Sequence, residues 1–399
     1  MLKINNVYQG DSLELLKQLD DNSIDSIVTD PPYELGFMGK SWDKTGIAYN
    51  IDLWKECLRA LKPGGHLLAF GGTRTYHRMA CAIEDAGFEI RDQIQWIYGS
   101  GFPKSYNISK GIDKKFGAER EIVGKRVHPT LKNEPNVKSK AYHVETLNSN
   151  KNMESWDITA PSTDLAKHWD GWGTALKPAN EPIVMARKPL SEKSIVDNVL
   201  RWKTGGINID DSRIEGTYDN SGRSNRTVDY VDDTQVANKK AGMKTRADAN
   251  ELGRFPANII FDEEAASILD EQSGTLKSGF MKAGHPYGKG DGQNVYGKLT
   301  GFTKKDTHGD SGGASRFFYC AKAAKKEKGK FNNHPTVKPM KLMEYLVRLI
   351  TPENGIVLDP FAGSGTTLLA CINMQKNYIG FELSQEYVDI INQRIHNLA

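Results

Sequence analysis

The sequence is poor in cysteine and offers no arrangement of it that builds a site. Its 399 residues include four cysteines, which lie far apart, form no Cys-x-x-Cys pair and never follow a proline. Structural zinc sites and disulfide frameworks both need closely spaced or paired thiols, so we expect neither. The nine histidines show no metal-ligand spacing. The sequence therefore predicts no metal site.

Long apolar runs are also missing. No stretch approaches the roughly 18 apolar residues of a membrane span, and the first residues have no apolar signal core. These absences favour a cytoplasmic protein. The length allows two or three structural units around a substantial core.

Excess charge is small overall but unevenly placed. The whole chain carries a formal net charge of +3, whereas residues 101–140 hold ten basic and four acidic side chains. A local basic segment is what a phosphate-contacting surface needs. A solvated loop is the alternative interpretation, and composition alone leaves it open.

Strand-like and helix-like patterns alternate in the first half of the chain. Ser12 is a candidate helix cap. Strands are predicted at residues 3–8, 24–29, 66–70, 90–98 and 182–186, and helices at 13–19 and 54–61, with a Lys-Pro-Gly-Gly turn at 62–65.

The carboxyl-terminal part repeats the alternation. Met343, Leu346, Val347 and Ile350 have helical spacing. Strands at 355–359 and 378–382 and helices over 366–374 and after 384 complete the pattern. This alternation predicts an α/β fold with a doubly wound, mostly parallel sheet.

Residues 205–330 interrupt the pattern. They are rich in Gly, Asn, Asp, Ser and Lys, with only short apolar runs such as 256–261 and 316–321. Structureless connections of that length are uncommon inside a compact domain. The segment is therefore interpreted as an inserted module.

The first chemical motif is Asp30-Pro31-Pro32-Tyr33 at the end of a predicted strand. Two prolines remove two backbone donors and stiffen the chain, which leaves outward carbonyls beside a carboxylate. Such a corner suits an exocyclic amine, whose two N–H groups can bind Asp30 and the Pro31 carbonyl. Tyr33 supplies an aromatic face on which a base can stack. An ordinary Pro-Pro turn is the alternative.

The second motif runs from Asp359 to Thr367 between a strand and a helix. Gly363 and Gly365 permit a tight turn and close approach of the backbone to a ligand. Glu382, at the end of the next strand, suits an acid that binds ribose hydroxyls. No lysine follows Gly365, which excludes a P-loop.

With both motifs the sequence resembles the amino-methyltransferases, in which Asp/Asn/Ser-Pro-Pro-Tyr is the catalytic motif and Phe-x-Gly-x-Gly the cofactor loop. The catalytic motif precedes the cofactor loop by over 300 residues, an order that resembles the permuted β group. Residues 171–182 and 312–319 look like segments of phage and prophage adenine methylases. The resemblance implies a circularly permuted Rossmann-like methyltransferase sheet.

It also implies roles for individual residues and S-adenosyl-L-methionine as the cofactor. The catalytic residues would be Asp30, Pro31, Pro32 and Tyr33. Asp11 would bind the cofactor's adenine amine, and the segment with His334, Thr336 and Lys338 would help hold the methionine part. Asp359 would lie near the methionine part, and Glu382 would bind the ribose. The remaining cofactor-binding residues would be Pro360, Phe361, Ala362, Gly363, Ser364, Gly365 and Thr366.

The resemblance divides the chain into five parts. These are a catalytic half (1–104), a basic insert (105–168), return strands (169–204), a target-recognition region (205–330) and a cofactor-binding half (331–399). We expect phosphate contacts from Lys125 and Arg126 in the basic insert. Arginines of the fourth part are candidates for base-edge or phosphate contacts, namely Arg223, Arg226, Arg246, Arg254 and Arg316.

The function implied is methylation of adenine N6 in DNA by direct attack of a flipped-out base, because Asp at the first motif position favours adenine. DNA cytosine-N4 methylation is the alternative, and a catalytically silent DNA-binding relative is a further one. Carbon-5 methylation needs a cysteine nucleophile, and no Pro-Cys dipeptide is present. Phe37 and Trp42 could line a base pocket or pack on the core. The resemblance leaves monomer and homodimer open, and also a companion restriction endonuclease.

Overall fold

The computed structural model describes residues 2–35, 45–101, 105–127, 155–214, 253–277, 311–321 and 337–398. The predicted segments with Phe37, Trp42, Arg223, Arg226, Arg246, His334 and Thr336 lie outside these residues.

Thirteen strands occur in the described residues. They are β1 (Asn6–Gln9), β2 (Ile24–Thr29), β3 (Leu61–Phe70), β4 (Glu89–Ile97), β5 (Ile122–Val127), β6 (Ser155–Thr159), β7 (Asn180–Arg187), β8 (Ile259–Asp262), β9 (Leu276–Lys277), β10 (Ser311–Gly312), β11 (Tyr319–Ala321), β12 (Ile356–Asp359) and β13 (Asn377–Glu382).

The α-helices of the described part are α1 (Ser12–Leu16), α2 (Ile51–Ala60), α3 (Tyr76–Asp85), α4 (Ile108–Lys115), α5 (Asp164–His168), α6 (Ile195–Trp202), α7 (Glu263–Ser273), α8 (Met340–Ile350), α9 (Thr366–Asn373) and α10 (Gln385–His396). Short 3-10 helices lie at Ile47–Tyr49 and Ala314–Phe317. None of the described helices is long and apolar enough to cross a membrane.

Nine strands form one sheet in the order β1-β13-β12-β2-β3-β7-β4-β8-β11. Strand β7 runs antiparallel to both its neighbours, β3 and β4. The other neighbouring pairs are parallel. The predicted α/β class with a mostly parallel sheet is therefore confirmed.

Both faces of the sheet are covered. All six residues of β2 are buried, and its side chains alternate between two core clusters: Ile27 packs on one side and Val28 on the other. Helix α2 contributes Trp54 to the first cluster, and helix α8 contributes Leu346 to the second. Strand β2 is therefore buried on both faces, as strands of parallel sheets covered by helices are, although it includes the polar residues Asp25, Ser26 and Thr29.

Strand β3 differs from its prediction. It begins at Leu61, directly after α2, so the predicted turn at 62–65 lies inside the strand. The pairing of β3 with β2 is irregular at this point. Gly64 has a φ of +80°, a left-handed conformation that glycine adopts without strain. A Lys-Pro-Gly-Gly sequence can therefore form a bulge as well as a turn.

Part of the predicted inserted module at 205–330 belongs to the main sheet. Its two short apolar runs form β8 and β11, which extend the sheet in parallel from β4. Strands of three or four residues carry too little periodicity to be recognised from sequence. The role of this region in target recognition stays a prediction.

The described chain clusters into two compact units, residues 1–100 with 179–399, and residues 101–178. The second unit holds α4, α5 and the antiparallel pair β5–β6. Buried Asp113 accepts hydrogen bonds from Ser162 N (3.0 Å) and Thr163 N (3.0 Å) and pairs with Arg120 (2.6 Å). The predicted basic insert, 105–168, falls within this unit.

Candidate active site

The carboxyl ends of four adjacent parallel strands carry the predicted site residues. Asp30 follows β2, Asp359 and Glu382 end β12 and β13, and Asp11 lies just after β1. These strands are neighbours in the order β1-β13-β12-β2. Ligands of open α/β sheets bind outside this edge. The fold thus brings residues from the two ends of the chain to one edge.

The Asp30 carboxylate is bound on one side. Its Oδ2 accepts a hydrogen bond of 2.6 Å from the Lys338 ammonium. Its Oδ1 is buried and accepts none from the described residues. A buried carboxylate oxygen without a donor is costly, so Oδ1 is the atom prepared for an incoming N–H group.

Lys338 is buried at the centre of this cluster, with 8% of its side chain exposed. Besides Asp30, its Nζ lies 3.1 Å from Tyr33 Oη and 3.2 Å from Glu181 Oε2. It also lies 5.3 Å and 4.9 Å from the ring centres of Tyr33 and Phe70. Burial by itself lowers the pKa of Lys338, but Asp30 and Glu181 raise it by more. The amine therefore stays charged at neutral pH.

Glu181 reaches this edge because β7 is antiparallel. The amino end of an antiparallel strand lies beside the carboxyl ends of its parallel neighbours. Residue 181 pairs with Trp96 near the end of β4, and Ile183 pairs with Phe70 at the end of β3. Sequence reasoning missed Glu181. It lies in the segment that resembles adenine methylases, but only the direction of β7 gives it a place in the site.

Tyr33 is held by three contacts. Its hydroxyl donates to Glu181 Oε2 at 2.8 Å and accepts from Lys338, while its carbonyl accepts from Thr75 Oγ1 at 2.7 Å. Burial, together with the carboxylates of Asp30 and Glu181, raises the pKa of Tyr33 well above its ordinary value. The phenol therefore keeps its proton. Pro31 is buried and Pro32 half-buried in the same corner.

Asp359 is only 2% exposed. Its Oδ1 accepts hydrogen bonds from Thr29 Oγ1 at 2.7 Å and from Phe361 N at 3.1 Å. Burial raises the pKa of Asp359 to about 6, although the hydrogen bonds from Thr367, Thr29 and Phe361 act against it. The carboxylate thus ties the end of β12 to the end of β2, next to the Asp30-Pro31-Pro32-Tyr33 motif.

The glycine loop after β12 is tightly held. Gly363 and Gly365 have φ values of +54° and +81°, which suit glycine. A Cβ on Gly365 would lie 2.8 Å from Ile391 Cγ1. The other predicted loop residues are fixed from their surroundings: Pro360 O accepts from Ser12 Oγ, Ala362 N donates to Phe381 O, Arg394 donates to Ser364 and Thr366, and Phe361 packs against the core.

Glu382 is oriented by the loop beside it. Its Oε2 accepts from Gly363 N at 2.8 Å and its Oε1 from Ser384 N at 2.9 Å. Burial raises the pKa of Glu382, and these backbone bonds partly offset the rise. Each carboxylate oxygen retains acceptor capacity for a further donor. The residue is therefore fixed in orientation yet able to bind hydroxyl groups.

Asp11 is the amino-terminal cap of α1. Its Oδ1 accepts from Leu13 N at 2.9 Å and from Glu14 N at 3.2 Å. The residue is exposed. The structure thus gives Asp11 a capping role, and binding of the cofactor's adenine stays a prediction.

The four candidate DNA-binding residues that the structure describes fall into two groups. Lys125 is exposed on β5, and Arg126 follows it on the same strand. Arg254 is 6% exposed and donates to the Arg316 carbonyl at 2.9 Å. Arg316 donates to the carbonyls of Gly312 and Gly313 at 2.9 and 2.8 Å. Both arginines also lie over the Phe317 ring, so in this structure they serve packing.

In the part of the chain that the structure describes, no group of His, Cys, Asp and Glu side chains could hold a metal ion.

Comparison with known proteins shows the family of the chain. The family model described as DNA methylase, for the N6/N4 enzymes, matches residues 24–393. Type II methyltransferase M.HindIII of Haemophilus influenzae is 21% identical over 433 residues, covering 98% of this chain and 94% of that protein. Orphan methyltransferase M.BamHII of Bacillus amyloliquefaciens is 49% identical over 65 residues, covering 16% of this chain and 24% of that protein.

Two solved structures are similar to this chain at lower sequence identity than M.HindIII. The M1.HpyAVI–SAM complex is 17% identical, covers 98% of both chains and has a TM-score of 0.41. The PvuII DNA methyltransferase, described as cytosine-N4-specific, is 14% identical, covers 97% of this chain and 85% of that one, and has a TM-score of 0.43. Since the family model matches most of the sequence, the chain belongs to the N6/N4 DNA methylase family.

Proposed function

We propose that the chain transfers a methyl group from S-adenosyl-L-methionine to the N6 amine of adenine in DNA. The observation that carries this proposal is the state of the Asp30 carboxylate. One oxygen is bound by Lys338, and the other is buried without a donor among the described residues. A neutral amine brings the N–H group that this oxygen lacks.

The corner around Asp30 suits an amine in a second way. The carbonyl of Pro31, the next residue, is a second acceptor, and neither Pro31 nor Pro32 has a backbone N–H group to donate. An exocyclic amine that binds Asp30 Oδ1 and the Pro31 carbonyl through its two N–H groups is drawn toward a pyramidal nitrogen. Its lone pair then localises on nitrogen, where it can attack a methyl carbon. This is the chemical task of an amine methylase.

The residues at the carboxyl edge fit S-adenosyl-L-methionine. Glu382 presents an oriented carboxylate with spare acceptor capacity, which suits ribose hydroxyls. Gly363 and Gly365 keep side chains away from a ligand that lies along the loop. Exposed Asp11 would accept from an adenine amine. When bound, the cofactor supplies a methyl group on a positively charged sulfur, which is already activated for transfer.

The chain's own residues then position, polarise and exclude water. Tyr33 offers its ring to the base while its hydroxyl is fixed by Glu181. Asp30 Oδ1 binds one amine hydrogen and is the first acceptor for the proton that the methylated nitrogen must lose. Lys338 keeps its charge and cannot accept that proton. A base inside a duplex cannot reach Asp30, so the target is flipped out or single-stranded.

Adenine is favoured over cytosine by the aspartate at the first position of the catalytic motif, through its resemblance to adenine methylases. The chemistry of Asp30 does not separate the two, because both amines present the same pair of N–H donors. Cytosine N4 is therefore the second candidate, and the experiment must identify the product.

The test is incubation of the full-length protein with S-adenosyl-L-methionine and unmethylated DNA, followed by nucleoside mass spectrometry and modification-sensitive sequencing. We expect N6-methyladenine at one sequence context. N4-methylcytosine would contradict the adenine assignment and keep the amine chemistry. No methylated base on any DNA would contradict the enzyme assignment and favour a silent DNA-binding relative.

Target recognition is assigned to residues 205–330, with backbone contacts from 105–168. Exposed Lys125 supports the second part of this assignment. Buried Arg254 does not support the first, so other residues of that region must read the bases. Sedimentation of the protein with and without DNA would decide between monomer and homodimer.

A further inference from the structure

We propose that Glu181 is a positioning residue for the methylation step, acting on the Asp30 carboxylate through Lys338 and Tyr33. The inference rests on the proposed amine methylation and deepens it, since neither the motifs nor the family comparison assigns a role to Glu181.

The three N–H groups of the Lys338 ammonium all have an acceptor within reach. An ammonium has three donors and no acceptor. Three oxygens lie within reach of it: Asp30 Oδ2 at 2.6 Å, Tyr33 Oη at 3.1 Å and Glu181 Oε2 at 3.2 Å. Each donor therefore has one partner, and the ammonium is fixed on one oxygen of Asp30.

Glu181 also affects Asp30 Oδ1, the proposed acceptor for the target amine. If Glu181 were absent, one buried N–H of Lys338 would lose its partner. An unpaired buried donor is costly, and Asp30 Oδ1, buried and without a donor, is an acceptor in the same cluster. Lys338 would then bind both oxygens of Asp30. Glu181 keeps Oδ1 available by drawing that N–H group away.

Glu181 also holds Tyr33 in place. Its hydroxyl donates to the same Glu181 oxygen at 2.8 Å, and its raised pKa keeps the proton that makes this bond. Glu181 thus fixes the plane of the ring on which the base is proposed to stack. One carboxylate orders both the acceptor and the stacking face.

Glu181 also determines the net charge of the cluster around Lys338. Two carboxylates, Asp30 and Glu181, surround one ammonium, so the cluster carries one net negative charge. The amine nitrogen gains positive charge as it takes up the methyl group. A preorganised negative charge beside it stabilises that transition state more than the neutral ground state. Removing the charge of Glu181 should therefore lower kcat rather than weaken binding.

This assignment differs from the role that the family resemblance gives to Lys338, which is to hold the methionine part of the cofactor. The two roles predict different losses. A positioning pair loses kcat with cofactor affinity unchanged, whereas a cofactor ligand loses cofactor affinity.

The experiment compares Glu181→Gln, Lys338→Met and the double variant with wild type. It measures kcat and KM for DNA at saturating cofactor, and the Kd of S-adenosyl-L-methionine by calorimetry. Gln keeps the acceptor for Tyr33 and removes only the charge. We expect Glu181→Gln to lower kcat between about 10- and 100-fold, as a misplaced reacting group does. The cofactor Kd and KM should change less than about threefold.

Glu89→Gln is the matched control. Glu89 of β4 pairs with Arg187 of β7 at 2.6 Å, at the end of the β4–β7 pair that lies opposite Glu181. It should leave kcat unchanged. Because part of the effect of Glu181 passes through Lys338, the losses of the two single variants should combine less than additively in the double variant.

Wild-type kcat in Glu181→Gln, an equal loss in Glu89→Gln, or a rise in cofactor Kd that matches the loss of kcat would each overturn the inference. Additive losses in the double variant would overturn it as well. A wild-type protein that methylates no base overturns the proposed function and this inference together, whereas an active wild type with an equally active variant overturns the inference alone.

Discussion

The Lys338 ammonium donates to Asp30 Oδ2 at 2.6 Å, across 308 positions of the chain. The contact joins the segment before α8 to the Asp30-Pro31-Pro32-Tyr33 motif after β2. It occupies one oxygen of the Asp30 carboxylate, while the second oxygen, Oδ1, accepts no hydrogen bond from the described residues.

Asp30→Ala should reduce methylation by at least about 1,000-fold, because the acceptor for the amine is removed where positive charge develops. The cofactor Kd should change less than about threefold, since Glu382 and the glycine loop are untouched. Radiolabelled methyl transfer and calorimetry measure the two quantities. Asp25→Ala is the control, since it removes a lysine-paired carboxylate at the other end of β2 and should spare kcat. A comparable loss of cofactor affinity in Asp30→Ala would show that Asp30 has the wrong role.

Asp359→Asn should change how stability depends on pH. The folded-state pKa of Asp359 is raised to about 6, above the ordinary value of about 3.9. The folded state therefore binds more protons than the unfolded state between these values. The stabilisation of the folded state that comes from protonating Asp359 is fully present below about pH 4 and is lost as the pH rises through about 6.

The loss corresponds to about 3 kcal/mol at pH 7. Asn keeps an oxygen for Thr29 and Phe361 and carries no charge. Thermal unfolding of cofactor-free protein from pH 4 to pH 7 should show a steeper loss of stability in wild type than in Asp359→Asn. Parallel curves would mean that Asp359 does not titrate in this range.

Gly365→Ala should destabilise the fold by about 2–4 kcal/mol. About 1 kcal/mol comes from the positive φ, and the rest from the contact of the new Cβ with Ile391 at 2.8 Å. Gly46 is the matched control, because its φ of +74° is similar and, among the described residues beyond its chain neighbours, no atom lies within 4 Å of its Cβ position. Urea unfolding of both variants separates the two effects. Equal losses would mean that the helix α10 contact is not tight.

Lys125→Ala should weaken DNA binding in a salt-dependent way. The slope of log K against log salt is negative, and removing one phosphate contact makes it less steep by about 0.9. Fluorescence anisotropy with duplex DNA between 50 and 200 mM salt measures this slope. Lys55→Ala removes another exposed lysine, which pairs with Asp52 on α2, and should leave the slope unchanged. The same result for both variants would exclude Lys125 from the DNA interface.

Most of the main sheet was predictable because its signals are local. The buried run of β2, the helical spacing before β12 and the glycines after it each depend on neighbours within a few residues. Strands β8 and β11 were not predicted, because three or four residues carry no period. The bulge of β3 was predicted as a turn, since glycine and proline permit both.

The sequence by itself determined the chemistry that the site can carry. Asp30-Pro-Pro-Tyr33 is one unbroken run of residues, and the loop from Asp359 to Thr367 is another. The residue types and their order within each run already indicate an acceptor for an amine and a cofactor-binding turn. Only the tertiary structure decided that Glu181 belongs to the site and that Lys338 lies on Asp30. Both depend on the direction of β7 and on pairing between distant segments. Long-range pairing is settled by packing of the whole sheet, and no local pattern records it.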